Sequence, residues 1–193
     1  MSERGEIGAG GLAALFAIGA LGGLIGDMCH VQSGTTIYLE DPLPYIWESQ
    51  LWFPLMVGAG TAALGWIAVR LGASASEDER AEPLRSAAAM IASVLALYAL
   101  TAVVRGEPAS VGIVLCYSVA ALICARFAHD RVDFLCAALA TVFGVGAEIV
   151  LSCLDVFEYA DDVEKFVNVA AWLPALYLAY GVVVARLGVL LSR

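Results

Sequence analysis

Few side chains in this sequence could do chemistry, and most of them crowd into one stretch, 27–65. Asp27, His30, Gln32 and Thr36 follow the first long apolar run, and Trp52, Phe53 and Pro54 open the second. Together they would make a polar mouth beside an aromatic wall. Such a place suits a lipid, because a few polar groups fix the head while apolar surface holds the body. An ordinary solvated helix end accounts for the same polar residues, and both remain open at this point. His30 has no partner at metal-ligand spacing. Glu148 is the one acid well inside an apolar run. A carboxylate there either faces the bundle interior or snorkels to the membrane surface. The candidate ligand-binding residues are therefore Asp27, Gln32, Thr36, Trp52, Phe53 and Glu148.

A second cluster, His129-Asp130-x-x-Asp133, resembles half of a metal-dependent hydrolase site. No second His/Asp cluster exists on the same side, and one ligand group does not make a catalytic centre. Asp130 and Arg131 are better placed as a helix connector or a partner-binding surface. No G-x-S-x-G elbow, phosphate loop or H-E-x-x-H occurs. We expect no enzyme, no catalytic residue, no metal and no cofactor. The five cysteines show no C-x-x-C spacing. Cys29 and Cys153 stand near span ends on one side, which leaves a disulfide between them open.

The elements that position these residues follow from composition. Of 193 residues, 61% are apolar and 15% charged, against roughly 45–50% and about 25% in soluble domains. The surplus can only face lipid. A net charge of −9 with nine Arg and one Lys excludes a nucleic-acid partner. Apolar runs predict an all-α integral membrane protein: one domain, 1–193, of six spans near 7–26, 46–71, 84–104, 109–127, 134–154 and 166–187. Eight of the ten cations fall on one side (Arg4, Arg70, Arg80, Arg85, Arg126, Arg131, Arg186, Arg193) and only Arg105 and Lys165 on the other. Both termini are thus expected in the cytoplasm. Gly19/Gly23 and Gly22/Gly26 give two registers for close helix approach, most simply within the chain. Pro54 and Pro174 are expected to bend their spans. Small residues at Gly58, Gly60, Ala62, Ala63, Gly144 and Gly146 would leave a groove between helices.

In this setting the sequence resembles the Insig family of six-span membrane regulators. Gln32 and Thr36-Ile37-Tyr38 match a Gln and a Thr-aliphatic-aromatic triplet after the family's first span. Trp52-Phe53-Pro54 matches the opening of its second span, with Gly58, Ala62 and Gly65 in step. Asp130-Arg131 matches the link after the fourth. Trp172-Leu173-Pro174, Gly181-Val182, Val184 and Gly188 match the last. The resemblance implies a sensor in which a sterol-like ligand enters a cavity between helices and alters affinity for another membrane protein. Gln32 and Trp52 would border the pocket, and Asp130 would face the partner. The Ala-rich, Arg-over-Lys composition resembles that of a GC-rich bacterium, which implies the inner membrane. There a diacylglycerol-like glycerolipid or an isoprenoid fits as well as a sterol, and a homo-oligomer is compatible. Two alternatives stand beside this. A small transporter would be built from an internal repeat, but the polar features of the first three spans show no recurrence in the last three. A lipid-modifying enzyme would need acids or histidines clustered at one depth.

Overall fold

The structure is a computed structural model that describes residues 6–39 and 44–192; Arg4 and Arg193 of the charge count lie outside the described residues. Among the described residues, six helices are long and apolar enough to cross a membrane. They are α1 (Ala9–Ser33), α2 (Trp52–Arg70), α4 (Pro83–Val103), α5 (Ala109–Phe127), α6 (Arg131–Cys153) and α7 (Leu173–Leu191), with a short α3 (Glu77–Ala81) linking α2 to α4. The chain is an integral, multi-pass, all-α membrane protein. Between α1 and α2 lie β1 (Thr36–Tyr38), β2 (Tyr45–Ile46) and β3 (Ser49–Gln50). Between α6 and α7 lie β4 (Phe157–Tyr159), β5 (Lys165–Phe166) and β6 (Val169–Ala170). All six strands gather at one end of the bundle, the strand end, and α3 sits at the other, the linker end.

α7 is the axis. Of its most apolar window 78% is buried, against 22–44% for the other five, and it packs on α1, α2, α4, α5 and α6. Its small residues make this contact close. A Cβ on Gly188 would fall 2.6 Å from the Gly65 carbonyl oxygen, and one on Gly181 would fall 2.5 Å from the Ala137 Cα. The outer helices keep large apolar side chains such as Leu122, Val142 and Phe143 exposed, as lipid contact requires.

Several boundaries differ from expectation for physical reasons. α1 runs on past Gly26 to Ser33, because Asp27 and His30 are buried among partners and the polar residues do not end the helix. Gly34, at φ 68°, ends it, and its backbone N–H bonds the Val31 carbonyl. Pro54 does not bend α2: it is the third residue, in the first turn, where its missing N–H costs no intrahelical bond. Pro174 likewise occupies the first turn of α7. The groove therefore owes nothing to proline kinks. Of the two glycine registers, Gly19 and Gly23 pack on Thr61 and Val57 of α2, whereas Gly22 meets nothing within 4 Å. All five cysteines are free; Cys153 Sγ instead accepts from Asn168 Nδ2 at 3.8 Å.

The expectation of no internal repeat is overturned. β1 pairs antiparallel with β4, Ile37 opposite Glu158, and the bonds around this pair are mutual. Leu39 N–H donates to the Val156 carbonyl, and Ala160 N–H donates to the Thr35 carbonyl. The same turn closes both preceding helices: Thr35 N–H bonds the His30 carbonyl, and Val156 N–H bonds the Leu151 carbonyl. A two-residue hairpin follows in each copy (β2–β3, β5–β6), then a Trp-x-Pro helix start. Thus α1–β1–β2–β3–α2 and α6–β4–β5–β6–α7 are two copies of one unit, joined about a local two-fold axis through the β1–β4 ladder.

Candidate functional site

Each copy of the repeat buries one acid and gives it a tyrosine eleven residues on. Tyr38 Oη donates to Asp27 Oδ2 at 2.6 Å. Tyr159 Oη donates to Glu148 Oε2, and Tyr177 Oη donates to Glu148 Oε1 at 2.7 Å. The helix carries the acid inward near its end, and the turn and strand bring the tyrosine back over it. Burial, then the neighbouring carboxylate, pushes the hydroxyls of Tyr38 and Tyr159 well above the usual tyrosine range. Both therefore stay protonated and donate. Glu148 is thus an interior residue, not a snorkelling one: its two oxygens are both held by tyrosines at 5% exposure. His30, also buried, bonds Thr101 Oγ1 through Nε2 at 2.7 Å and lies against Tyr98 and Trp172, with ring centroids at 4.6 and 5.3 Å.

Beneath this polar layer lies an apolar cavity of about 420 Å³, walled by α1, α2, α4, α6 and α7. That is the size range of sites that hold small lipophilic ligands, roughly 300–1,000 Å³. Missing side chains create it: Gly22 and Gly60 face it with no protein atom near enough to fill the space, the nearest to a Gly60 Cβ being Tyr180 Oη at 3.9 Å. Ala63 and Gly144 also face it, whereas Gly58, Ala62 and Gly146 do not. Gly58 instead admits the Phe16 backbone.

The candidate residues separate across this geometry. Phe53 lines the cavity. Trp52 packs edge-on to Phe53, ring centroids 5.7 Å apart, while its Nε1–H donates to Gln50 Oε1 at 2.5 Å. Asp27 and Glu148 lie in the polar layer above, Glu148 joined to the cavity wall through Tyr177. Thr36 is buried in β1, its Oγ1 without a hydrogen bond among the described residues. Gln32 is exposed on α1 and does not line the cavity. The tyrosines 38, 98, 159, 177 and 180 were not anticipated. Their signal in the sequence is the recurrence of Asp27/Tyr38 in Glu148/Tyr159 at equal spacing.

At the linker end Asp130 caps α6. Its Oδ1 accepts from Val132 N–H at 2.8 Å and Asp133 N–H at 3.2 Å, and Asp133 Oδ2 returns the favour to the amides of His129 and Asp130. Arg131 is exposed. A second unanticipated constellation lies beside them. Arg186, 0% exposed, donates from Nε to Glu79 Oε1 at 3.0 Å, from Nη1 to Asp133 at 3.4 Å and from Nη2 to the Ser74 carbonyl at 2.7 Å; Nη2 also reaches Glu79 Oε2. Burial on its own raises the Glu79 carboxyl, but the Arg186 bonds outweigh it and hold Glu79 below its ordinary value of 4.5. Arg186 is therefore a structural clasp between α3, α6 and α7 and not a surface charge.

No family model matches the chain. A curated relative, an INSIG protein homolog of Mycolicibacterium vanbaalenii, is 39% identical over 180 residues, which is 90% of this chain and 83% of the relative. Among solved structures, a mycobacterial Insig homolog, MvINS from Mycobacterium vanbaalenii, superposes with a TM-score of 0.88 at 34% identity, covering 97% of each chain. A cross-linked trimer of MvINS superposes equally well, at 33% identity and the same coverage. With six spans, the Trp-x-Pro starts and this identity along nearly its whole length, the chain belongs to the Insig family.

Proposed function

We propose that this chain is a membrane regulator that holds one lipid in the cavity between α1, α2, α4, α6 and α7, with linker and termini in the cytoplasm. The observation that carries it is the cavity itself: an apolar space of about 420 Å³ onto which Gly22 and Gly60 open, in a bundle where Gly19, Gly23, Gly58, Gly65, Gly181 and Gly188 lie against neighbouring helices. Phe53 forms part of its wall, and Trp52 supports Phe53 from behind. The lipid could be a sterol, a glycerolipid or an isoprenoid. Occupancy would act on a partner through whichever helix arrangement the lipid favours. Asp130 and Arg131 stand at the linker end, where a membrane protein or a second copy of the chain could dock. Extraction in a mild detergent followed by mass spectrometry of the released lipids tests this: wild type should release one lipid class enriched over the membrane. Gly60→Leu, which fills the space, should release none while remaining folded. Equal enrichment from both would end this account.

The internal repeat favours one further possibility, since small transporters are built from repeats around a central site. Movement of labelled lipid across vesicles containing the protein would select it; a lipid held but not moved selects the regulator.

A further inference from the structure

We propose that a polar cleft at the linker end binds a phosphate ester that carries a primary ammonium, the head of phosphatidylethanolamine. The cleft, of about 410 Å³, lies between α3, the first turns of α4 and the end of α5. Buried Met90 and Phe127 give it an apolar part, and charged side chains line the rest. Most of these charges are already matched. Glu79 Oε1 accepts from Arg186 Nε at 3.0 Å, and Glu82 Oε2 accepts from Arg85 Nη1 at 2.8 Å. Two are not: Arg126 and Asp78 line the cleft with no ion pair and no side-chain hydrogen bond among the described residues. The Arg126 guanidinium is instead held over the Phe127 ring, 5.4 Å from its centroid. His129 also lines the cleft, and its ring makes no hydrogen bond among the described residues. Its Nε2 stands 3.8 Å from Glu79 Oε1, beyond bonding distance.

One open cation and one open anion in a single cleft match a ligand that carries both signs. An arginine fork offers parallel N–H donors to two phosphate oxygens. A carboxylate accepts from the N–H donors of a primary ammonium, which the quaternary ammonium of a choline head lacks. The depth of the cleft suits a lipid. α4 starts at Pro83 and α5 stops at Phe127, so the cleft stands where both spans leave the apolar layer, at the level of headgroups. Leu122 lies one turn before Arg126 on the same face of α5 and is 68% exposed. A chain attached to a phosphate at Arg126 would run down over Leu122. Neither Arg126 nor Asp78 lines the central cavity, so this inference does not depend on what that cavity holds. Both side chains are exposed, so a head held there exchanges readily and is lost in purification unless lipid is added back.

The test adds dioleoyl phosphatidylethanolamine, phosphatidylglycerol or phosphatidylcholine to the full chain purified in mild detergent. Native mass spectrometry counts the lipid taken up beyond any already carried. Wild type should bind phosphatidylethanolamine about two- to fivefold more tightly than the other two, the worth of one exposed ion pair. Asp78→Asn should lose that preference, and Asp78→Lys should turn it toward phosphatidylglycerol, a gain that no loss of fold produces. Arg126→Gln should weaken uptake of all three. Glycerophosphoethanolamine, the head without its chains, separates the two sources of this chemistry. If it displaces the lipid, the head alone suffices; if it does not, the chain over Leu122 is part of what the cleft binds. Equal uptake of the three lipids by wild type overturns the proposal. So does a preference that survives both Asp78 variants, or uptake unchanged in Arg126→Gln.

Discussion

Asp130 illustrates how one side chain can be held by two demands. The family resemblance places it on a partner surface, and the structure uses it as the N-cap of α6. Loss of such a cap costs roughly 0.5–2 kcal/mol. Asp130→Ala should therefore lower the melting temperature in detergent, and Asp130→Asn should restore most of it. If a partner contact depends on the carboxylate, Asp130→Asn will weaken partner capture at unchanged stability; full capture by Asp130→Asn would confine the residue to capping. The Arg186 clasp makes a larger demand. Breaking a buried ion pair from one side costs about 3–5 kcal/mol, so Arg186→Met should destabilise more than Asp130→Ala. Because Glu79 is held below its ordinary 4.5 in the folded chain, its contribution is complete above that value and fades as the pH falls below it. Melting curves of wild type should drop below about pH 4.5, and part of that drop should be missing in Arg186→Met. A pH profile identical in both proteins would remove Glu79 as the cause.

At the scale of elements, the six helices were readable because about twenty apolar residues in a row have few other fates. The fourth span, 109–127, coincides with α5 (Ala109–Phe127). The first span reads too short in the sequence, because a run of polar residues normally ends a membrane helix. Whether Asp27 and His30 find buried partners is decided by Tyr38 and Thr101, which are distant from them in sequence or belong to another helix. The repeat is hidden in the sequence for a related reason: its strands are two or three residues long, too short for a period-2 pattern, and its helices share little sequence beyond Trp-x-Pro. The place of Phe53 at the cavity wall and the burial of Glu148 were legible from type and position. The place of Tyr98 on that wall was not, since a tyrosine in an Ala-rich span gives no sign of which way its ring faces. The ladder that joins the repeats is open to direct proof. In a background without other cysteines, the pair Ile37→Cys and Glu158→Cys, opposite each other in β1 and β4, should close an intramolecular disulfide on mild oxidation. Failure to close, while pairs placed within one repeat do so, would contradict the ladder.

For the whole molecule, the strand end and the linker end differ in character. Arg70, Arg80, Arg85, Arg126 and Arg131 lie at the linker end, whereas Arg105 and Lys165 lie at the strand end, each engaged with Asp162 or Asp161. With the positive end inside, Asp161→Cys should react with an impermeant thiol reagent in sealed cells and Glu77→Cys should not; the reverse labelling would invert the topology. MvINS has been crystallised as a cross-linked trimer, and the exposed apolar faces of the outer helices are free for either lipid or a neighbouring copy. What unites the acid–tyrosine pairs, the repeat and the bundle is the space they enclose. The most direct measurement of it is the intact mass of the purified protein in the gas phase, compared between wild type and the double variant Gly22→Leu, Gly60→Leu. Wild type should carry one lipid per chain through mild detergent, and the double variant should fly bare with its fold intact. A wild-type chain that flies bare, or a filled cavity that still carries lipid, would contradict a lipid site between these helices.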